Sequence, residues 1–413
     1  MTFDKYPKKV LIFSVAYYPK FVGGAEVAVK EITDRLNSHP PADGYEFHLL
    51  TLRLDKNLPK EEKVGNVFVY RLGFAGQMKE SADSLRFPLH YNKYLYPFMA
   101  TWKGLRLSKK HNFSFTWSIM ANYSGFGALF FKFLKPKIPF LLTLQEGDPF
   151  DYIKKRVGLI YPLFKKIFTK ADAVQAISRY LANWSKDMGF KGEPIVVPNG
   201  VDVGKFNIEI SSDERSKIRK ELGLGERDTA LITTSRLVIK NGVGDVIQAL
   251  ANLPENIKFV IIGEGYLEEK LRLLAKNLGV NERARFKGFV AHNEMPKYLK
   301  ACDIFIRASL SEGFGNSFIE AMAAGLPVIA TPVGGIVDFL VDPAKLERSG
   351  MEVQTGYFCK HEDIESITTA INRSISDPNK KEVIENAKKM VMEKYDWRVI
   401  ALQMKEIFDS LSK

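Results

Sequence analysis

A chain of 413 residues with 46% apolar content exceeds what one hydrophobic core comfortably fills, so two domains of roughly 200 residues are expected. Ordinary glycine and proline content, with no internal repeat or low-complexity tract, excludes fibrous, disordered and solenoid classes. Two cysteines, Cys302 and Cys359, exclude a disulfide framework and point to a reducing cytoplasm; the formal charge of +12 is the unusual bulk property.

The N-terminus runs directly into an apolar segment, Val10 to Ala16, without the charge order or cleavage site of a signal peptide. That segment reads as a strand, followed by a loop with Gly23-Gly24 and a helix from Ala25 to Leu36. Further strands are predicted at Phe47–Leu52, Val67–Arg71, Trp117–Ala121, Phe140–Leu144 and Ala173–Ile177. The longest charge-free stretch, Phe113 to Phe131, holds Ser, Thr, Asn and two Gly. It therefore reads as a buried strand, a turn and a helix start in preference to a membrane span. Ile195 to Asp202 makes a turn-rich exit through Pro198 and Asn199-Gly200. After a charged stretch, Ser211 to Glu226, the pattern restarts with strands at Ala230–Thr234, Lys258–Gly263, Ala284–Gly288, Ile304–Ile306 and Val328–Thr331. Tyr395 to Phe408 carries apolar residues at helical spacing. Strand and helix in alternation give an α/β protein of two doubly wound domains. Their ligands are expected outside the carboxyl ends of the strands, in a cleft between the domains.

The charge is unevenly placed. Residues 86–170 hold 15 Lys+Arg against 3 Asp+Glu, the entire excess, together with 20 of the 49 aromatics. Basic and aromatic residues mixed on helices suit an anionic membrane surface; they suit equally a solvated face around an anionic substrate cleft. Leu159 to Phe168, with Lys165, Lys166 and Lys170, reads as a membrane-surface helix or as a buried helix with snorkelling lysines. No nucleic-acid-reading motif accompanies the charge, so nucleic acid is not an expected partner. The expected location is cytoplasmic, with peripheral contact on the inner face of the cell membrane.

The densest chemical signal is Ser311-Glu312-Gly313-Phe314-Gly315-Asn316-Ser317-Phe318-Ile319-Glu320, ending at Gly325 and Pro327. It reads as a loop, a helix and a stop. Gly313 and Gly315 bring backbone N–H groups close to a ligand ahead of a helix N-terminus. Two roles compete for Glu320: Ser317-x-x-Glu320 is also a capping box. Asp148-Pro149 likewise reads as a helix N-cap. None of the six histidines stands beside a catalytic candidate in sequence. No Asp-x-Asp or His/Cys cluster with metal-ligand spacing appears.

This run resembles the glutamate-x7-glutamate signature of family 4 of the retaining glycosyltransferases. Matching segments occur in order: Gly23-Gly24-Ala25-Glu26, Pro198 to Asp202 with Phe206, Ser235-Arg236-Leu237 with Gly242, Gly263-Glu264-Gly265, Phe286-Lys287-Gly288, and Pro332 to Gly335. The resemblance implies the GT-B fold, two Rossmann-like domains facing a central cleft. It places an acceptor-binding domain over residues 1–205, a nucleotide-sugar-binding domain over 206–390 and a C-terminal helix, 391–413, crossing back to the first domain. It implies a metal-independent, retaining hexosyl transfer with no cofactor, from a UDP- or GDP-sugar to a glycan or lipid-linked acceptor.

In that reading Arg236 and Lys240 hold the diphosphate, Glu312 contacts the donor sugar and Glu320 accepts from the ribose hydroxyls. A guanidinium fork suits phosphate oxygens and an ammonium supplies a point charge. Backbone of Gly313, Phe314, Gly315 and Asn316 meets sugar or phosphate. Lys287, Gly288 and Phe289 take the base largely through backbone, and Gly23 and Gly24 approach phosphates or acceptor. Two departures stand out. The family pattern puts its lysine five after the arginine, whereas Lys240 is four after Arg236 and Asn241 precedes Gly242. Where many relatives have a histidine, this chain has Gln145, which cannot act as a base at neutral pH, with Glu146 and Asp148 beside it. Those departures keep two alternatives in view: a catalytically impaired nucleotide-sugar-binding protein, and a nucleotide-sugar epimerase.

Overall fold

Runs of β-branched and aromatic residues flanked by amphipathic helices become parallel strands because both faces of such a sheet are covered. In the computed structural model, which describes residues 7–20, 22–36, 44–75, 90–343 and 353–412, they form two sheets. The chain divides into two compact units: residues up to Asn199 with those from Trp397 onward, and Gly200–Asp396. The sequence-based junctions at 205/206 and 390/391 lie within six residues of these.

The first unit holds β1 (Lys8–Phe13), β2 (Tyr45–Leu52), β3 (Glu61–Val64), β4 (Val67–Leu72), β5 (Phe113–Ile119), β6 (Phe140–Leu144), β7 (Ala173–Ala176) and β8 (Ile195–Val196). Their order is β3-β4-β2-β1-β5-β6-β7-β8, parallel except for β3, which runs antiparallel to β4. The order reverses between β1 and β5, so the loops leaving these two strands flank the switch point. The charge-free stretch is indeed strand, turn and helix: β5 is followed by the helix Tyr123–Leu134. A buried polar chain ties the strands together. Trp117 Nε1 donates to Thr143 Oγ1 (2.8 Å), Thr143 to Gln175 Oε1 (2.7 Å), and Gln175 Nε2 to the Val197 carbonyl (2.5 Å).

The last helix, Trp397–Leu411, belongs to this unit and buries Trp397, Ile400, Met404, Ile407 and Phe408. Phe408 packs on Phe115 and Trp117, with ring centroids 5.1 and 5.0 Å apart. Each such side chain contributes about 1.5–3 kcal/mol by leaving water. Trp397 is therefore a core residue.

The second unit holds β9 (Thr229–Thr234), β10 (Ile257–Ile262), β11 (Ala284–Gly288), β12 (Ile304–Arg307), β13 (Val328–Ala330) and β14 (Tyr357–Phe358). All are parallel, in the order β11-β10-β9-β12-β13-β14, the Rossmann arrangement with its switch point between β9 and β12. The chain enters and leaves this unit side by side, Val201 N donating to the Tyr395 carbonyl (2.7 Å). No helix among the described residues is long and apolar enough to cross a membrane.

Candidate active site

Arg236, Lys240 and Glu312 all come from the two loops that flank the switch point of the second sheet. The β9 loop carries Arg236, exposed, and Lys240, half-buried on a single 3-10 turn, Ile239–Asn241. The β12 loop carries Glu312. Backbone bonds lock these loops to their neighbours. Leu310 N donates to the Lys240 carbonyl (2.8 Å), Leu237 N to Glu264 O (2.9 Å) and Gly335 N to Glu312 O (3.2 Å).

The irregular lysine spacing has a local cause. Asn241 is turned inward and buried, and its amide donates to the Arg236 carbonyl (2.7 Å), stapling the arginine turn from beneath. Gly242 follows with φ 62°, and a Cβ there would lie 1.8 Å from the Ala308 carbonyl oxygen. Gly242→Ala is expected to cost on the order of 3 kcal/mol in strain and overlap. An unchanged melting temperature in calorimetry would contradict this docking of the β9 loop on β12.

Glu312 is held by a residue that sequence reasoning passed over. Arg307, the last residue of β12, is buried, and Nη2 donates to Glu312 Oε2 (2.6 Å). Nη1 donates to Ser317 Oγ (2.8 Å) and Nε to Ser309 Oγ (3.1 Å), while the guanidinium lies 4.3 Å from the Phe318 ring centroid. Burial pulls the guanidinium below its ordinary pKa, and Glu312, then Glu320, oppose that shift. The available signal was an arginine closing an otherwise apolar strand, five residues before Glu312.

The capping box predicted from Ser317 and Glu320 does not form. The helix Asn316–Ala323 starts from Gly315 at φ 101°, with no side-chain cap, because Ser317 is engaged by Arg307. Glu320 Oε1 instead pairs with His292 Nε2 (2.9 Å), and the His292 ring lies 5.4 Å from that of Phe206. A histidine therefore does stand beside a candidate, 28 residues away in sequence. Phe314 points into the core against Phe339 and Tyr395, leaving only its backbone for a ligand. Lys287 turns its ammonium to Glu221 (2.5 Å), whereas Phe289 is exposed and Gly288 O accepts from Gly263 N (2.8 Å). At the carboxyl end of β9 the hydroxyls of Thr233, Thr234 and Ser235 are buried without a hydrogen-bond partner among the described residues. Such groups call for a ligand or ordered water.

In the first unit, Gly23 N donates to Glu26 Oε2 (2.8 Å) ahead of the helix Gly24–Leu36, so Glu26 closes that N-terminus. Glu146, just past β6, accepts from Ala121 N (2.5 Å) and Gln145 N (2.9 Å), bridging two strand ends. Gln145 Oε1 accepts from Asn199 Nδ2 (3.2 Å). The helix Phe150–Val157 has Pro149 at its N-cap and no side-chain cap, so Asp148 does not cap it.

Burial pushes Glu146 up to about 7, against the lowering effect of its backbone donors. The folded state thus holds a proton that the unfolded chain has released. Stability from this group is full below the ordinary carboxylate pKa and is lost as pH rises through about 7. Melting temperature is expected to decline as pH rises from the ordinary carboxylate pKa to about 7 and to level off above it, a decline that Glu146→Gln lacks. Parallel curves for the two proteins would refute the shift.

At the amino ends of the first unit's strands, Glu46, His48 and His111 bring metal-type donor atoms within 4.8 Å, an arrangement their separation in sequence concealed. Lys9 Nζ already occupies that spot, 2.9 Å from Glu46 and 3.2 Å from His111 Nδ1.

Comparison with known proteins decides the family. The description Glycosyltransferase Family 4 matches residues 22–205, and Glycosyl transferases group 1 matches residues 214–390. The chain belongs to glycosyltransferase family 4. An uncharacterised glycosyltransferase of Methanocaldococcus jannaschii is 27% identical over 97% of both chains. An alpha-monoglucosyldiacylglycerol synthase of Streptococcus pneumoniae is 31% identical over 47% of this chain and 46% of its own. A GDP-mannose-dependent phosphatidylinositol monomannoside mannosyltransferase of Mycolicibacterium smegmatis is 28% identical over 59% and 63%. Anabaena Alr3699/HepE, solved with UDP and glucose, covers 98% of this chain and all of its own at TM-score 0.74 and 20% identity. Sucrose-phosphate synthase of Thermosynechococcus elongatus superposes at TM-score 0.77 with 20% identity, over 98% of this chain and 99% of its own. These solved structures establish that this glycosyltransferase has the GT-B fold.

Proposed function

We propose that this family 4 glycosyltransferase moves a hexosyl group from a UDP- or GDP-sugar to a glycan or lipid-linked acceptor, with retention and without a metal. The observation that carries the reading is the convergence of Arg236, Lys240 and Glu312 on the two loops of one Rossmann switch point. Cations there meet the diphosphate and stabilise charge on the leaving nucleotide, as a preorganised site does best. Glu312 meets the donor sugar. Glu320 accepts from the ribose, sharing its carboxylate with His292. Orphaned hydroxyls at the end of β9 support a ligand at this edge. On the acceptor side, Glu146 rather than Gln145 has the proton affinity of a group that exchanges protons near neutrality. A thermal-shift panel of UDP-, GDP- and ADP-sugars tests the reading. Stabilisation by one nucleotide class is expected, and no stabilisation by any would overturn it.

The first unit also supports peripheral attachment to an anionic membrane. The helix Tyr91–Leu107 exposes Tyr91, Tyr94, Leu95, Phe98 and Trp102 on one face, with Lys93 and Arg106 on the same helix. Arg106 stacks on Trp102 at 3.6 Å. Leu159 is fully exposed between basic helices. Residues 86–89 of the basic region lie outside the described residues. Each Lys or Arg near the lipid is worth about 1 kcal/mol. Co-sedimentation with phosphatidylglycerol vesicles is expected at low salt and lost as salt rises; no binding at low salt would exclude the attachment.

A further inference from the structure

We propose that Arg307 is the positioning residue that makes Glu312 selective for the donor's sugar. The proposal rests on the donor-side reading above and deepens it. A loop glutamate ahead of a helix has several rotamers, and a flexible carboxylate discriminates poorly between one hydroxyl arrangement and another. Here Glu312 has no such freedom. Its Oε2 is held at 2.6 Å by Arg307 Nη2, while Oε1 has no partner among the described residues and is left to accept. Arg307 is itself fixed at every nitrogen, by Ser309, by Ser317 and by Glu312, and lies over the Phe318 ring. A planar fork locked in this way sets both the position and the tilt of the carboxylate it holds.

The placement also explains why an arginine closes a strand whose other residues are apolar and buried. Its direct ion pair is with the Glu312 carboxylate, and its remaining donors go to two hydroxyls. Ser317 is thereby withdrawn from capping its own helix, and the same contact ties the first turn of that helix to the strand end. Strand, loop and helix thus converge on a single oxygen, Glu312 Oε1. A donor-sugar hydroxyl in the correct configuration satisfies it, and an epimer leaves it unpaired.

The test separates sugar recognition from nucleotide recognition. Titration calorimetry gives the affinity of wild type, Arg307→Met, Arg307→Lys and Ser317→Ala for UDP, UDP-glucose and UDP-galactose, and for GDP and GDP-mannose. In Arg307→Met, nucleoside diphosphate affinity should stay within about twofold, while the extra affinity conferred by the preferred sugar falls at least tenfold. Preference between the two UDP-sugar epimers, or between mannose and no sugar on GDP, should collapse with it. Arg307→Lys, which keeps charge without the fork, should recover part of the loss. Ser317→Ala leaves both charges in place and should give an intermediate value; it also serves should Arg307→Met fail to fold. A sugar increment unchanged in Arg307→Met, or unchanged in Ser317→Ala and Arg307→Lys, overturns the proposal while the donor reading stands. Wild type that binds no nucleotide or nucleotide-sugar overturns both.

Discussion

Glu312→Ala is expected to lose stability as well as activity, by about 3–5 kcal/mol, because it leaves the buried Arg307 guanidinium without its carboxylate. The asymmetry of the pair matters. The Glu312 side chain is 18% exposed and Arg307 7%, so stranding the arginine costs more than stranding the glutamate. Arg307→Met with Glu312→Gln removes both charges together and should recover most of the stability that Glu312→Ala loses, while remaining inactive. Chemical denaturation of wild type, Arg307→Met, Glu312→Gln and their combination forms a cycle whose interaction term should be several kcal/mol. Equal stabilities for Glu312→Ala and wild type would show the ion pair to be inconsequential. The practical consequence is that loss of turnover in Glu312→Ala, taken alone, does not identify a catalytic role.

Arg236→Ala is the second large effect. Arg236 is exposed on its loop and its side chain supports no core, so stability should be unchanged while kcat falls roughly 10²–10³-fold, the usual loss on removing one preorganised donor to a developing charge. Arg236→Lys should recover little, because a point charge does not reproduce a fork on two phosphate oxygens. Lys240→Ala should lower kcat in the same direction. A rise in KM with kcat intact would instead assign these cations to uniform donor binding. Steady-state kinetics with the donor selected by the thermal-shift panel distinguishes the two.

Much of this architecture was legible in sequence because it depends on local pattern. Apolar runs such as Ile257–Ile262 alternate with amphipathic helices, and two sheets of parallel strands follow. The loop-then-helix character of 312–320 was equally local. What escaped depends on distance along the chain. Arg307 could be read only as the end of an apolar strand, since its partners come from the loop and helix that follow. His292 lies 28 residues from Glu320, and the two meet only when β11 and β12 are placed. The antiparallel edge strand β3, Glu61–Val64, is half exposed and mostly charged, so it shows no strand pattern. The helix Tyr91–Leu107 contains Pro97 and exposes an aromatic face, which blurs its period. The capping box failed for a physical reason: a buried arginine is a stronger partner for Ser317 than its own helix N-terminus.

The departures at 145 and 240 also acquire structural meaning. Asn241 staples the arginine turn, which moves the lysine one position earlier without removing it from the loop. Gln145 takes a hydrogen bond from Asn199, and the group with neutral-range proton affinity beside it is Glu146.

Transfer itself is the direct readout of this activity. The purified protein, in EDTA, is incubated with an isotopically labelled UDP- or GDP-hexose and a mixture of glycan and lipid-linked acceptors. The anomeric configuration of the product is then read by proton NMR. Acceptor-dependent transfer with the donor's anomeric configuration kept is the expected result. Tight nucleotide binding without turnover, or conversion of the donor without any acceptor, would contradict it.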